Sequence, residues 1–103
     1  MVKGRPAKHA DVLGLARRCL EEGRYRDTRH ATKRREEREI TVMEVRYVLL
    51  NGYREPSKDE YKEEYKAWNY AVRGKTVDGR PLRIAISFEE EQLLTITAID
   101  LGA

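Results

Sequence analysis

The sequence predicts an α+β fold, in which three N-terminal helices pack on a C-terminal antiparallel β-meander. Apolar residues recur at helical spacing up to Asn51, whereas from Ala67 onward they follow the two-residue period of a strand. The 103 residues suffice for one domain with its own core. We therefore expect a single domain over residues 1–103, of which residues 1–7 form a flexible basic arm because glycine and proline interrupt regular structure there.

The first helix is predicted from one apolar stripe that ends before Gly23. The members of the stripe are spaced at i, i+3, i+4, i+7 and i+8, and they are Val12, Leu15, Ala16, Cys19 and Leu20. Cys19 is interpreted as a small buried hydrophobic residue rather than a nucleophile. Residues 24–28 are interpreted as an extended link, in which Thr28 caps the helix that follows.

A charged second helix is predicted over residues 29–39. The segment contains no large apolar residue, so the helix must lie on the protein surface or form part of a binding surface. His30, Arg34 and Arg38 are spaced at i, i+4 and i+8 and therefore share one stripe. The alternative interpretation is a solvated helix that provides only solubility.

The third helix has the clearest boundary signals. Thr41 and Glu44 form a capping box at its start. Asn51-Gly52 is expected to end it in a left-handed cap. Between these boundaries the inward-facing residues are Val45, Val48 and Leu49.

The strands are predicted from alternation and from turn signals. Residues 53–55 form a candidate short strand, and residues 57–66 form a loop or one helical turn. Asp78-Gly79 and Glu89-Glu90-Glu91 are expected to be the turns of the meander. The last strand, residues 93–99, is apolar on both faces and is placed centrally in the sheet. Helices and sheet should share one core of Val12, Leu15, Leu20, Val45, Val48, Leu49, Ile84, Ile86, Phe88 and Ile96.

The composition excludes several classes of site. One cysteine and two histidines exclude an internal disulfide, a cysteine-based zinc site and a histidine-only metal site. Motifs of phosphate-binding loops, zinc proteases and serine hydrolases are absent, and we expect no cofactor. The acidic runs Glu63-Glu64 and Glu89-Glu91 are interpreted as solvated turns, with a divalent metal site as the alternative. No apolar run resembles a signal peptide or a membrane span, so a cytoplasmic location is expected.

The charge is distributed unevenly along the chain. The net charge is +3, but residues 1–54 hold 14 Lys and Arg against 8 Asp and Glu, whereas residues 55–103 hold 7 against 10. A basic front half indicates a surface that faces a polyanion. Ordinary surface solubility is the alternative.

The available side chains fit metal-independent RNA cleavage. That reaction needs a base for the 2′-hydroxyl proton, an acid for the leaving 5′-oxygen and cations for the phosphate charge. His30 is the candidate acid or base, because an imidazole titrates near neutrality. The candidate phosphate-binding cations are Arg29, Arg34, Arg38, Arg73, Lys75 and Arg83. The candidates for base stacking are Tyr65, Trp68 and Tyr70.

For catalysis, the side chains named above would have to lie together in one cleft. If the charged helix lies along the edge of the sheet, we expect His30 to converge with Arg73 and Lys75. His30 would then carry the proton, while Arg73 and an arginine of the charged helix would stabilise the charge on phosphorus. In the alternative interpretation His30 is a capping or solvated residue. Trp68 would then belong to the core, and Arg83 would only project from the polar face of its strand.

Several segments also match known patterns. The first set is Thr28-Arg29-His30-Ala31, Arg34-Arg35, Arg38-Glu39-Ile40-Thr41, Glu44-Val45 and Asn51-Gly52. The second set is residues 73–82 and residues 94–98. These sets resemble a family of small bacterial domains of unknown function. The predicted helix over residues 15–23, followed by residues 24–29, is similar to the start of the MqsR-type toxins. Both groups are similar to the RelE-like toxin superfamily, and the resemblance covers residues 12–101.

The resemblance implies a compact RelE-like α+β ribonuclease that works without a metal. Catalytic sets in that superfamily are built from Arg, Lys, His, Tyr or Gln. His30 and its neighbouring arginines lie in the first matching set, and Arg73 and Lys75 lie in the second.

The resemblance also implies the partners. The expected function is that of an mRNA interferase, a toxin-like endoribonuclease of a type II toxin–antitoxin system. Its partners would be RNA and a cognate antitoxin, and we expect the antitoxin to cover the basic residues 29–38. The alternatives are a nucleic-acid-binding module without catalysis and a protein-interaction domain.

Overall fold

Two helices cover one face of a mostly antiparallel sheet in the computed structural model, which describes residues 5–102. The helices of this part of the chain are α1 (Val12–Glu21), α2 (Arg29–Glu37) and α3 (Val42–Asn51). The strands are β1 (Tyr25–Asp27), β2 (Tyr53–Arg54), β3 (Glu60–Lys62), β4 (Ala67–Lys75), β5 (Pro81–Glu89) and β6 (Gln92–Asp100), with a short 3₁₀ helix over Pro56–Lys58. The α+β class is as the sequence predicts.

The sheet is built around the predicted meander. Its strand order is β1-β6-β5-β4-β2, and β3 pairs with the other end of β4. Strands β4, β5 and β6 are antiparallel neighbours, joined at the predicted turn of Asp78-Gly79 and at Glu90-Glu91. Strand β6 lies between β1 and β5, in the interior position that its two apolar faces predict.

Two strands are missing from the sequence prediction. The link of residues 24–28 contains β1, which pairs in parallel with β6 and places Arg26 opposite Leu94. The predicted loop of residues 57–66 contains β3, which pairs with β4. A strand therefore lies between the first two helices, so the predicted order of helices first and strands afterwards is wrong. Both strands are only three residues long, too short to show a two-residue period.

The core lies between the sheet and the helices α1 and α3. Its buried members from the predicted set are Val12, Leu20, Val45, Val48, Leu49, Ile84 and Ile86, and Leu15 and Phe88 pack against them while partly buried. Cys19 is fully buried in the same core, as predicted. The core therefore joins helices and sheet into one unit.

Ile96 is the exception in the predicted core. The register between β5 and β6 shifts by one residue, because Ala85 pairs with Thr97 whereas Ile86 pairs with Thr95. Such a bulge moves the following side chains to the other face. Leu93 and Ala98 consequently face the core, and Ile96 lies on the opposite face of the sheet.

The helix starts are as predicted, whereas one helix end is not. The hydroxyl of Thr28 accepts a hydrogen bond from the Ala31 N–H, and Thr41 and Glu44 form the capping box. Gly52 has a φ of −87° rather than a left-handed conformation, so the predicted left-handed cap is wrong. A Cβ at Gly52 would lie 2.4 Å from the carbonyl oxygen of Arg73, so close packing of α3 on β4 requires the glycine.

The described end of the predicted arm makes contacts with the sheet. The guanidinium of Arg5 lies 5.2 Å from the ring centre of Tyr61, and the indole N–H of Trp68 donates to the carbonyl of Pro6 at 2.8 Å. Residues 1–4 lie outside the described residues. Among the described residues, no helix has the length and apolar character needed to cross a membrane.

Candidate active site

A cleft of about 530 Å³ lies on the outer face of the sheet, the face that points away from α1 and α3. Its apolar lining comes from β4, β5 and β6 and includes Ala67, Phe88, Leu94 and Ile96. Polar side chains from β1, α2 and the β3–β4 hairpin surround this lining. The cleft thus offers an apolar surface bordered by groups that can hold or transfer protons and charge.

His30 lies in the cleft because the start of α2 is tied to the sheet. The backbone N–H of Thr28 donates to the carbonyl of Thr95 on β6 at 3.0 Å, and the Thr28 side chain caps the helix. His30 is the second residue of α2, so this anchor holds it beside β6. Its side chain is exposed and has no hydrogen-bond partner among residues 5–102. The imidazole is therefore accessible to a molecule bound in the cleft.

The β3–β4 hairpin contributes a cation and an aromatic ring. Its turn is closed by a hydrogen bond from the Tyr65 N–H to the Lys62 carbonyl at 3.1 Å, and Lys66 has a positive φ of 50°. The side chain of Tyr65 lines the cleft and is 77% exposed. Lys62 also lines the cleft, and its ammonium lies 3.1 Å from the carboxylate of Glu60. A flexible ammonium and an exposed ring thus face the same space.

Arg26 closes the side of the cleft formed by β1. Its guanidinium lies 3.3 Å from a carboxylate oxygen of Glu89, and both side chains are more than half exposed. An ion pair so accessible to water contributes little stability. The guanidinium can therefore turn to an incoming anion without a large cost.

A second group of charges lies on β4 and β5 near β2. The Nε of Arg83 donates to Glu55 at 2.7 Å, and Arg73 donates to the same carboxylate at 3.2 Å. The hydrogen bond from Arg83 lowers the pKa of Glu55, burial opposes that change, and Arg73 lowers the pKa further. The carboxylate thus neutralises two of the arginines that the sequence assigned to RNA.

Asp59, four residues after Glu55, makes a similar set of contacts. It accepts a hydrogen bond from Arg54 at 2.6 Å and another from the backbone N–H of Ala71 at 2.8 Å, while Lys8 lies 2.9 Å away. Burial alone would raise the pKa of this carboxyl, which is 1% exposed, but the three donors together lower it. We call Glu55, Asp59, Arg54, Arg73 and Arg83 the carboxylate cluster.

The predicted convergence of His30 with Arg73 and Lys75 is not present. Neither Arg73 nor Lys75 lines the cleft, in which His30 lies instead with Arg26, Lys62 and Tyr65. Arg73 is four residues along β4 from the cleft residue Asn69, about 13 Å at the rise of a strand. Lys75 is exposed at the end of β4. The predicted catalytic set is therefore divided between two places on the sheet.

The predicted phosphate-binding arginines also lie in different places on the molecule. Arg29 and Arg34 are exposed on α2, where Arg34 lies 3.5 Å from Glu37. Arg38 follows the last turn of α2 and donates to the carbonyl of Ala98 at 2.7 Å, so it anchors the helix to β6 instead of sharing a free stripe with His30. Arg83 belongs to the carboxylate cluster.

The predicted stacking residues have three different environments. Tyr65 is available in the cleft. Trp68 is partly buried on the core face, where it packs against Tyr61 with ring centres 5.5 Å apart. Tyr70 is 3% exposed, and its hydroxyl accepts a hydrogen bond from the backbone N–H of His9. Stacking of a base on Tyr70 does not fit this burial.

Sequence reasoning assigned no role in the site to Arg26, Lys62 or Asn69, which line the cleft. Arg26 and Lys62 belong to the two short strands that were interpreted as link and loop, so no pattern marked their side chains. Asn69 did have a signal, because a large polar amide is uncommon inside a strand. Within residues 5–102, no three His, Cys, Asp or Glu side chains are grouped so as to hold a metal ion.

A family model described as "Domain of unknown function (DUF4258)" matches residues 28–100. No curated protein and no solved structure matches the chain. The matched segment includes His30, Lys62, Tyr65 and Asn69, whereas Arg26 precedes it.

Proposed function

We propose that this chain, which belongs to the DUF4258 family, is a metal-independent endoribonuclease with a RelE-like architecture. In this proposal it acts as the mRNA-cleaving toxin of a type II toxin–antitoxin pair. The main support is one cleft that holds an unpartnered imidazole, two cations and an exposed aromatic ring, together with the carboxylates of Glu64 and Glu89.

The chemistry of the cleft suits attack by the RNA 2′-hydroxyl. The 2′-oxygen forms a bond to phosphorus, the bond from phosphorus to the 5′-oxygen breaks, and the products carry a 2′,3′-cyclic phosphate and a 5′-hydroxyl. His30 accepts the proton of the 2′-hydroxyl. Proton transfer by a positioned group accelerates such reactions by roughly 10²–10⁴-fold.

The remaining groups of the cleft have separate roles in this proposal. Arg26 and Lys62 hold the phosphate and stabilise the charge that grows on its oxygens. The leaving 5′-oxygen receives a proton from the protonated His30 or from Lys62. Tyr65 stacks on a base and keeps the strand in the cleft.

The partner proposed from the resemblance is an antitoxin that covers the outward side of α2. Arg29, Lys33 and Arg34 are exposed there, so an acidic segment would meet three cations close to His30. Such a segment and RNA would compete for one surface. If a cognate partner binds while RNA binding is unaffected, the proposal that the two share one surface is wrong.

Binding without catalysis is the second candidate. The exposed arginines Arg29 and Arg34 favour it, because phosphate contacts from α2 require no proton transfer. Both candidates predict RNA affinity that falls steeply with salt, since bound RNA releases counterions. A protein-interaction domain predicts no such dependence. Turnover of RNA separates the two nucleic-acid candidates.

Cleavage of an end-labelled single-stranded RNA in EDTA tests the proposal. His30→Ala should slow cleavage by roughly 10²–10⁴-fold and change the RNA affinity by less than about twofold, because a neutral imidazole holds phosphate weakly. His9→Ala is the matched control, because His9 is not among the residues that line the cleft, although its ring packs on Tyr70 and Phe88. Full cleavage by His30→Ala would overturn the mechanism, and absence of cleavage by the wild-type chain would leave the binding module.

A further inference from the structure

Asn69 occupies an unusual place in the cleft. It lies within β4, where its neighbours Trp68 and Tyr70 belong to the core face and its own side chain lines the cleft on the outer face. The residue is half-buried. Its side-chain amide makes no hydrogen bond to any of residues 5–102. The amide therefore has donors and an acceptor in the cleft that no described residue uses.

This residue type is poorly explained by the fold. Asparagine is disfavoured inside strands. A half-buried amide without protein partners loses part of its hydration, and no hydrogen bond within the protein compensates for that loss. Ser87, another polar residue of the cleft, differs because its hydroxyl donates to the carbonyl of Trp68 at 2.8 Å. An accessible amide that no described residue uses is suited to a hydrogen-bonding ligand.

The surroundings of Asn69 define the shape of that ligand. Ala67, Leu94 and Ile96 provide an apolar lining, and the ring of Tyr65 borders the same space. An apolar lining with one aromatic ring suits a flat, weakly hydrated ring system. An amide beside it suits the hydrogen-bonding edge of that ring system. Proteins commonly recognise single-stranded RNA in this way: the bases are unstacked, and the protein contacts their faces and their edges.

We infer that Asn69 is a specificity-determining residue that reads an unstacked adenine of RNA. The amide presents an N–H donor beside a carbonyl acceptor, and adenine presents a ring-nitrogen acceptor beside its amino donor, so the two can pair through two hydrogen bonds. Adenine also covers more of the apolar lining than a pyrimidine does. The inference rests on the proposed function in one respect, namely that RNA occupies this cleft.

The inference is tested by measurements of binding, which do not depend on RNA cleavage. Four single-stranded RNAs that differ only at one central base are titrated into the full chain, and adenosine monophosphate is titrated into ¹⁵N-labelled protein. We expect the adenine-containing RNA to bind roughly 5- to 150-fold more tightly than the others. The Asn69 side-chain NH₂ signals, identified by their loss in Asn69→Ala, should shift with adenosine monophosphate and less with the other three monophosphates.

Two variants and one control make the test specific. Asn69→Ala and Asn69→Thr should both remove the preference for adenine, and threonine keeps a residue that favours strands. Asn51→Ala is the matched control, because the Asn51 amide donates to the carbonyl of Tyr47 on α3, away from the cleft. The control should keep the preference.

The outcomes separate this inference from the proposed function. Cleavage of RNA with equal affinity for all four bases would overturn the role of Asn69 and leave the nuclease intact. A preference for adenine that depends on Asn69, without any cleavage, would support the inference and contradict the nuclease. Failure to bind any of these RNAs and nucleotides would overturn both.

Discussion

The sheet carries two groups of polar residues that resemble each other in composition and differ in their partners. In the carboxylate cluster, Arg73 and Arg83 share Glu55, while Arg54 binds Asp59. In the cleft, by contrast, His30 and Asn69 have no hydrogen-bond partner among the described residues. Arginines whose carboxylate partners are mostly buried hold loops and strands together. In the cleft the ion pairs of Arg26 and Lys62 involve exposed carboxylates, and these cations lie with the unpartnered groups beside an apolar lining. The partners of a charged side chain, rather than its residue type, therefore indicate its role.

After His30→Ala, the largest expected effect concerns a cation of the cleft. Lys62→Met keeps the aliphatic stem but removes the ammonium, so it should lower the rate of RNA cleavage by roughly 10²–10³-fold, as for other groups that stabilise charge in the transition state. Lys58→Met, at an exposed lysine of the 3₁₀ helix, is the control and should cleave normally. Equal rates for the two variants would remove Lys62 from the site.

The carboxylate cluster should respond in stability instead. Glu55→Gln leaves Arg73 and Arg83 without their anion, and we expect the free energy of unfolding to fall by about 1–2 kcal/mol because charge-assisted hydrogen bonds are lost. Urea unfolding measures the change. Glu21→Gln, at an exposed residue of α1, should be neutral. If Glu55→Gln abolished cleavage without any loss of stability, the distinction between the two groups would fail.

Acid should weaken the same cluster. The pKa values of Glu55 and Asp59 are lowered in the folded chain, so their contribution to stability is complete above the unfolded values of about 4 and is lost as the pH falls through the folded values. The urea midpoint should therefore fall with pH below about 4.5. The fall should be shallower for Glu55→Gln combined with Asp59→Asn, and an identical slope would contradict the assigned pairs.

The sequence predicted those parts of the fold that depend on neighbouring residues. The capping box of Thr41 and Glu44, the stripe of α1 and the turn at Asp78-Gly79 all arise from contacts within a few residues. The bulge that turns Ile96 to the outer face depends instead on the register of β5 against β6. No local pattern marks such a register shift.

The candidate site was predicted less completely for the same reason. His30 was predicted because an imidazole titrates near neutrality and can therefore act as acid or base. Its association with Lys62 and Arg26 depends on two short strands that pair at distant points of the sheet. The neutralisation of Arg73 and Arg83 depends on Glu55, which is separated from them by 18 and 28 residues. Spacing along the chain carries no information on such pairs.

The most direct test compares His30→Ala with Arg73→Ala in the same two assays, RNA cleavage and urea unfolding. The cleft and the carboxylate cluster predict opposite results. His30→Ala should lose roughly 10²–10⁴-fold in cleavage rate and keep its unfolding free energy, whereas Arg73→Ala should keep its cleavage rate and lose stability. Loss of cleavage in Arg73→Ala with full activity in His30→Ala would contradict the assignment of the cleft as the active site.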